Sequence, residues 1–163
     1  VSSREYVQGA AVLMHSIALT GSQYARAVLV TTEIAKKDRD LLGNLAQVIE
    51  IERVQHPHYI SNDHYRDTFT KLRIWELVMF RKVVYIDVDV IILRNIDDLF
   101  DLSEWSVPMD AEQSRYSTGM MVCEPKLTTF DDMMEKLQTT TVSMELPDLL
   151  FLKDYFDKAN TKP

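Results

Sequence analysis

Two aspartates interrupt an otherwise apolar stretch: Asp87 and Asp89 follow Val83-Val84-Tyr85-Ile86 and precede Val90-Ile91-Ile92-Leu93. An unbroken apolar run from Val83 to Ile86, after Lys82, fits a strand covered on both faces, the usual state of a central strand in a parallel α/β sheet. In extended chain, residues i and i+2 point to one side, so Asp87 and Asp89 are expected to share a face as they leave the strand. Two charges in so apolar a setting are costly unless compensated. A hard divalent cation, Mg²⁺ or Mn²⁺, is the natural compensation, because it takes carboxylate oxygens and keeps positions for phosphates and water. The carboxyl end of a central strand is also where open α/β sheets bind ligands.

The remaining pattern supports such a sheet. A helix is expected from Arg4 to about Leu19, with Val7, Ala11, Met14 and Ala18 at helical spacing. A strand at Ala27 to Thr31, a helix at Lys36 to Leu42 and a strand at Gln47 to Val54 follow, an order that implies parallel pairing. Gln55 to Thr68, which contains His56-Pro57-His58, reads as a long loop, and Lys71 to Met79 as a short helix. Beyond the acidic pair, Asn95 to Phe100 suggests a helical turn, Trp105 to Met109 and Gly119 to Glu124 suggest strands, and Leu127 to Leu137 and Pro147 to Phe156 suggest helices. A doubly wound domain ordinarily opens on a strand, so the start at Val1-Ser2-Ser3, directly before a helix, is expected to fall inside an incomplete first strand.

With 163 residues, 46% of them hydrophobic and 26% charged, the expectation is one domain, 1–163, with a substantial core. The net charge of -7 argues against a protein that grips a nucleic-acid backbone. Cys123 is the only cysteine and no Asn-x-Ser/Thr sequon occurs, which fits a cytoplasmic setting and leaves a secretory one open. No apolar run reaches membrane length.

A bare Asp-x-Asp has two competing explanations. It can be a pair of surface aspartates in the turn after a strand, although the flanking apolar runs count against an exposed turn. It can also be the nucleophile motif of haloacid-dehalogenase-type phosphohydrolases. That motif belongs to a first strand, whereas Asp87 lies past the midpoint, and Asp131-Asp132, the available later acidic pair, falls in a helical pattern.

The stretch from Thr70-Lys71-Leu72-Arg73-Ile74-Trp75-Glu76-Leu77 through Tyr85-Ile86-Asp87-Val88-Asp89 to Leu93-Arg94-Asn95-Ile96-Asp97-Asp98-Leu99-Phe100 strongly resembles glycosyltransferase family eight, the group of glycogenin and galactinol synthase. The resemblance runs in order over nearly the whole chain. It implies a GT-A, Rossmann-like α/β fold with a mostly parallel central sheet and helices on both faces. It implies a UDP-sugar donor, glucose or galactose transfer with retention, and Mn²⁺, with Mg²⁺ the alternative, at Asp87 and Asp89 beside Val88. It puts Ser3 and Tyr6 at the uracil and ribose, and Lys71 at the donor phosphates. Tyr116-Ser117-Thr118-Gly119 takes the place of the family's Phe-Asn-Ser-Gly, so Ser117, Thr118 and Gly119 are expected near the donor sugar. Asp148 matches the family's aspartate nearest the reacting carbon.

Two departures qualify the resemblance. Leu149 stands where the family has Gln, and the closing His-x-x-Gly-x-x-Lys-Pro is absent, since no His precedes Lys162-Pro163 at the required spacing. A chain incomplete at both ends is one expectation, and a degenerate member that binds nucleotide sugar without turnover is the rival. Expected partners are the donor and an acceptor glycan, protein or polyol, with no nucleic acid and room for a homodimer. His15 reads as a helix residue, and His56, His58 and His64 as loop residues.

Overall fold

The computed structural model describes residues 1–56, 67–109, 116–141 and 146–160. They form two compact units, Val1–Arg53 with Ile86–Asp101, and Val54–Tyr85 with Leu102–Pro163.

The first unit opens with helix α1, Tyr6–Leu19, which buries Val7, Ala10, Leu13, Met14 and Ser16. The buried stripe therefore runs through Ala10 and Leu13 rather than through Ala11 and Ala18, and Ala18 is exposed. Gly21, at φ 73, ends the helix by donating its N–H to Ala18 O at 3.1 Å, a left-handed cap that suits glycine. Strand β1, Ala27–Thr31, pairs in parallel with β2, Gln47–Ile51, in the register Ala27 with Gln47 through Thr31 with Ile51. Helix α2, Lys36–Gly43, crosses between them and packs on β2 and α1. The strand-helix-strand reading holds, with β2 ending at Ile51 rather than Val54. Val1 donates to Leu29 O at 2.6 Å and accepts from Thr31 N at 3.0 Å.

In the second unit, a 3₁₀ helix, Thr68–Glu76, replaces the expected α-helix at 71–79. Nine residues is long for this tight helix. Phe69, Leu72, Ile74 and Trp75 are fully buried along it, and helices α3, Leu127–Thr139, and α4, Pro147–Asn160, pack against it. Strand β3, Val83–Ile86, pairs with β4, Met120–Cys123. Every residue of β3 is half-buried, so the expected fully covered strand is not what the described residues show, while β4 buries Met121, Val122 and Cys123.

Trp105 to Met109 forms no strand; it makes only single bridges, Ser106 with Val122 and Met109 with Tyr116. The reason lies at Trp105, which sits at φ 63, outside extended geometry, with its ring stacked on the distant Phe156 at 4.7 Å, while the Trp75 indole donates to Glu104 at 3.0 Å. Much of the expected 55–68 loop, including His58 and His64, lies outside the described residues.

Candidate functional site

The acidic pair belongs to the first unit. Strand geometry stops at Ile86, and Asp87 to Val90 is a turn in which Val90 N donates to Asp87 O at 3.2 Å. The shared-face argument from strand alternation therefore does not apply, and the pair is placed by a turn. Asp87 is half-buried and Asp89 exposed, while beyond them Ile92 is buried and Ile91 and Leu93 are exposed. The downstream apolar run thus turns only one side chain inward.

The chemistry of this donor set, two carboxylates and no softer ligand, fits a hard divalent cation. Among the described residues no cluster of three or more His, Cys, Asp or Glu exists to hold a metal, so a cation at Asp87 and Asp89 would complete its shell with phosphate oxygens and water. Ser3 and Tyr6 lie in the same unit, at the start of α1. Ser3 is half-buried, its hydroxyl donating to Glu5 at 3.1 Å, and Tyr6 is 40% exposed.

The second unit gathers Lys71, Thr118 and Asp148. Pro147 starts α4 and puts Asp148 in its first turn, where the helix dipole favours a carboxylate. Lys71 Nζ lies 2.7 Å from Asp148 Oδ2, with each side chain 8% exposed. Thr118 donates to the same oxygen at 2.9 Å and accepts from Lys71 Nζ at 3.4 Å. Burial pushes the Asp148 carboxyl up, but the charge and hydrogen bond of Lys71, with hydrogen bonds from Thr68 and Thr118, hold it below the usual carboxylate range. The ammonium also stands 5.6 Å from the centre of the Tyr85 ring. Lys71 is thus no solvated helix lysine.

Neighbouring positions divide sharply. Ser117 is exposed and its hydroxyl accepts from Gly119 N at 3.2 Å, so the two form a small turn and Thr118 alone of the three joins the ion pair. Leu149 is buried at 8%, so its departure from the family pattern lies in an apolar environment. Asp131 and Asp132 fall on α3, where Asp132 pairs with Lys136, an arrangement that offers nothing to a phosphohydrolase. His15 is an exposed residue of α1. His56 is 6% exposed, with Nε2 2.9 Å from Thr140 O and its ring 5.5 Å from Phe69. Burial and the Glu104 charge push the Cys123 thiol far up, which leaves it inert at neutral pH.

These arrangements, an aspartate pair in a turn after a β-strand and a parallel β-α-β unit ahead of it, belong to an α/β protein, and its likeness to solved glycosyltransferases shows a GT-A-like fold. The glycosyltransferase GlyE of Streptococcus pneumoniae TIGR4, in its apo form, superimposes with a TM-score of 0.73 at 17% identity, covering 97% of this chain and 42% of that one. Residues 1–107 match Glycosyl transferase family 8, and the chain belongs to that family. It is 33% identical over 153 residues to inositol phosphorylceramide glucuronosyltransferase 1 of Arabidopsis thaliana, a match that spans 93% of this chain and 28% of that protein. It is 31% identical over 138 residues to glycogenin of Neurospora crassa, covering 79% and 20%, and 27% identical over 175 residues to galactinol synthase 2 of Solanum lycopersicum, covering 83% and 52%. The chain therefore spans about a fifth to a half of the length of these relatives. No helix among the described residues is long and apolar enough to cross a membrane.

Proposed function

We propose that the protein is a retaining glycosyltransferase that moves a hexose from a UDP-sugar to an acceptor hydroxyl. The observation that carries this reading is the Asp87-Val88-Asp89 turn within the family match over residues 1–107. Asp87 and Asp89 would hold Mn²⁺, which when bound neutralises charge on the departing diphosphate. The bond from the anomeric carbon to phosphate oxygen breaks, UDP leaves with the electron pair, and the acceptor oxygen bonds to that carbon as its proton passes to the departing phosphate oxygen.

Asp148 is the carboxylate assigned to the positive charge that develops on the sugar. Its oxygen already accepts from Lys71 and Thr118, which suits an electrostatic stabiliser better than an attacking nucleophile. Lys71 then serves Asp148 at least as much as any phosphate. Ser3 and Tyr6 would bind the nucleoside, and Gly119 would leave room for the sugar.

The relatives favour a second donor. Several bear names such as UDP-glucuronate:xylan alpha-glucuronosyltransferase 1, 33% identical over 137 residues, so a hexuronic acid competes with glucose and galactose. Donor hydrolysis with Mn²⁺, measured for UDP-glucose, UDP-galactose and UDP-glucuronate, separates the two. A thermal melt with UDP and Mn²⁺ tests the site itself: stabilisation of about 2.7 kcal/mol is expected at a hundredfold excess over the dissociation constant, and an unmoved midpoint would overturn the reading.

A further inference from the structure

Gly9 lies in the interior of α1, where glycine is normally a liability. Its position is explained by what it faces. A Cβ built there would stand 2.7 Å from the carbonyl oxygen of Val88 and 3.5 Å from its carbonyl carbon, a backbone obstacle that no side-chain rotation relieves. Val88 is the central residue of the acidic turn.

Seven residues on, and on the same side of the helix, Ser16 is 6% exposed and accepts from Ile92 N at 3.1 Å while donating to Leu13 O at 2.8 Å. The spacing is commensurate: two helical turns advance about 10.5 Å, and the four peptide steps from Val88 to Ile92 reach at most about 13 to 14 Å. The contacts continue in chain order. Asn95 donates to Thr20 O at 3.4 Å, and Asp97 accepts from the Ser22 hydroxyl at 2.5 Å and from Gln23 N at 2.9 Å. Tyr24 stacks on Phe100 at 3.7 Å. Residues 9–24 and 88–100 thus run side by side in the same direction, matched at five places.

We infer that α1 is the template that shapes the acidic turn, with Gly9 a positioning residue that lets the Val88 carbonyl approach and Ser16 a positioning residue that fixes the exit at Ile92. Within the turn Val90 N donates to Asp87 O, and the contacts with α1 at Val88 and Ile92 flank that bond. A side chain at position 9 would push the turn off the helix and change the separation of the Asp87 and Asp89 carboxylates. The inference rests on the donor-site reading for its functional consequence and on packing alone for its structural one.

The test uses Gly9→Ala, with Ser16→Ala as a variant that removes the hydroxyl's two hydrogen bonds, to Ile92 N and Leu13 O, and introduces no collision. Helix propensity alone would make Gly9→Ala a stabilising change. The expected result is the reverse at the turn: amide hydrogen exchange at Val90 in the metal-free protein at least tenfold faster, and Mn²⁺ affinity in the presence of UDP, read by manganese spin resonance, at least tenfold weaker. Ser16→Ala should quicken exchange at Ile92 and weaken Mn²⁺ about threefold. Gly9→Ala with unchanged exchange and unchanged Mn²⁺ affinity overturns the inference, as does Ser16→Ala without effect at Ile92 should the first variant not fold. If the unaltered protein binds no Mn²⁺ with UDP, the donor-site reading falls instead, and exchange at Val90 alone then decides the role of Gly9.

Discussion

Asp89 and Asp148 are carboxylates treated in opposite ways by the two units of the chain. Asp89 stands exposed in a turn held by backbone packing, whereas Asp148 is buried and neutralised by Lys71 and Thr118. The contrast teaches what each charge is for. A buried charge must be answered by the protein itself, because leaving it unanswered costs several kcal/mol. An exposed carboxylate such as Asp89 stays hydrated and needs no fixed counter-charge from the protein. The first arrangement suits a fixed electrostatic field and the second a reversible binding site.

The largest effect should come from Asp89→Asn. The amide keeps the size but not the anionic oxygen, so Mn²⁺-dependent UDP binding and transfer should be lost while the melting temperature barely moves. Wild-type donor hydrolysis in a folded Asp89→Asn protein would break the comparison on its exposed side.

On the buried side, Asp148→Asn should cost transfer about a hundredfold, with UDP affinity nearly unchanged. It should also destabilise the chain by about 3 to 5 kcal/mol, since the buried Lys71 ammonium loses the carboxylate that lies 2.7 Å away. The double variant Lys71→Met, Asp148→Leu should recover most of that stability and none of the transfer. Acid titration sharpens the point. Because the folded Asp148 carboxyl lies below its unfolded value, its contribution is complete above about pH 4 and is lost as the pH falls further. In Lys71→Met, burial acts without the opposing charge and raises the carboxyl, so the sign reverses: stability should be greatest below about pH 4 and fall as the pH rises, which melts between about pH 3 and pH 7 would read. The smallest effect is expected for Ser117→Ala, within about 0.5 kcal/mol in stability, because its hydroxyl only closes an exposed turn. A large loss of transfer there would move the sugar contacts from Thr118 to Ser117.

Helices and strands with strong periodicity were legible in the sequence, as α1, β1, α2 and α4 show. What failed was geometry dictated by distant partners. Trp105 to Met109 has the composition of a strand, but the Trp105 backbone turns left-handed where its ring meets Phe156. The motif singled out Asp87 and Asp89, yet their placement by a turn rather than a strand could not be read from it. The ion pair joins Lys71 to Asp148, far apart in the chain, and no spacing rule connects them. Gly9 did leave a signal: a glycine inside an otherwise sound helix, which costs about 1 kcal/mol relative to alanine and so asks for a packing reason.

Trp105 carries a consequence for the order of assembly. Its left-handed backbone costs about 1 to 2 kcal/mol, and the ring that rewards it, Phe156, is on the last described helix. During synthesis the residues around Trp105 emerge well before Phe156, and of the contacts that hold them the bridge from Trp105 and Ser106 to Val122 can form first, while the ring stack on Phe156 is added only when α4 is present.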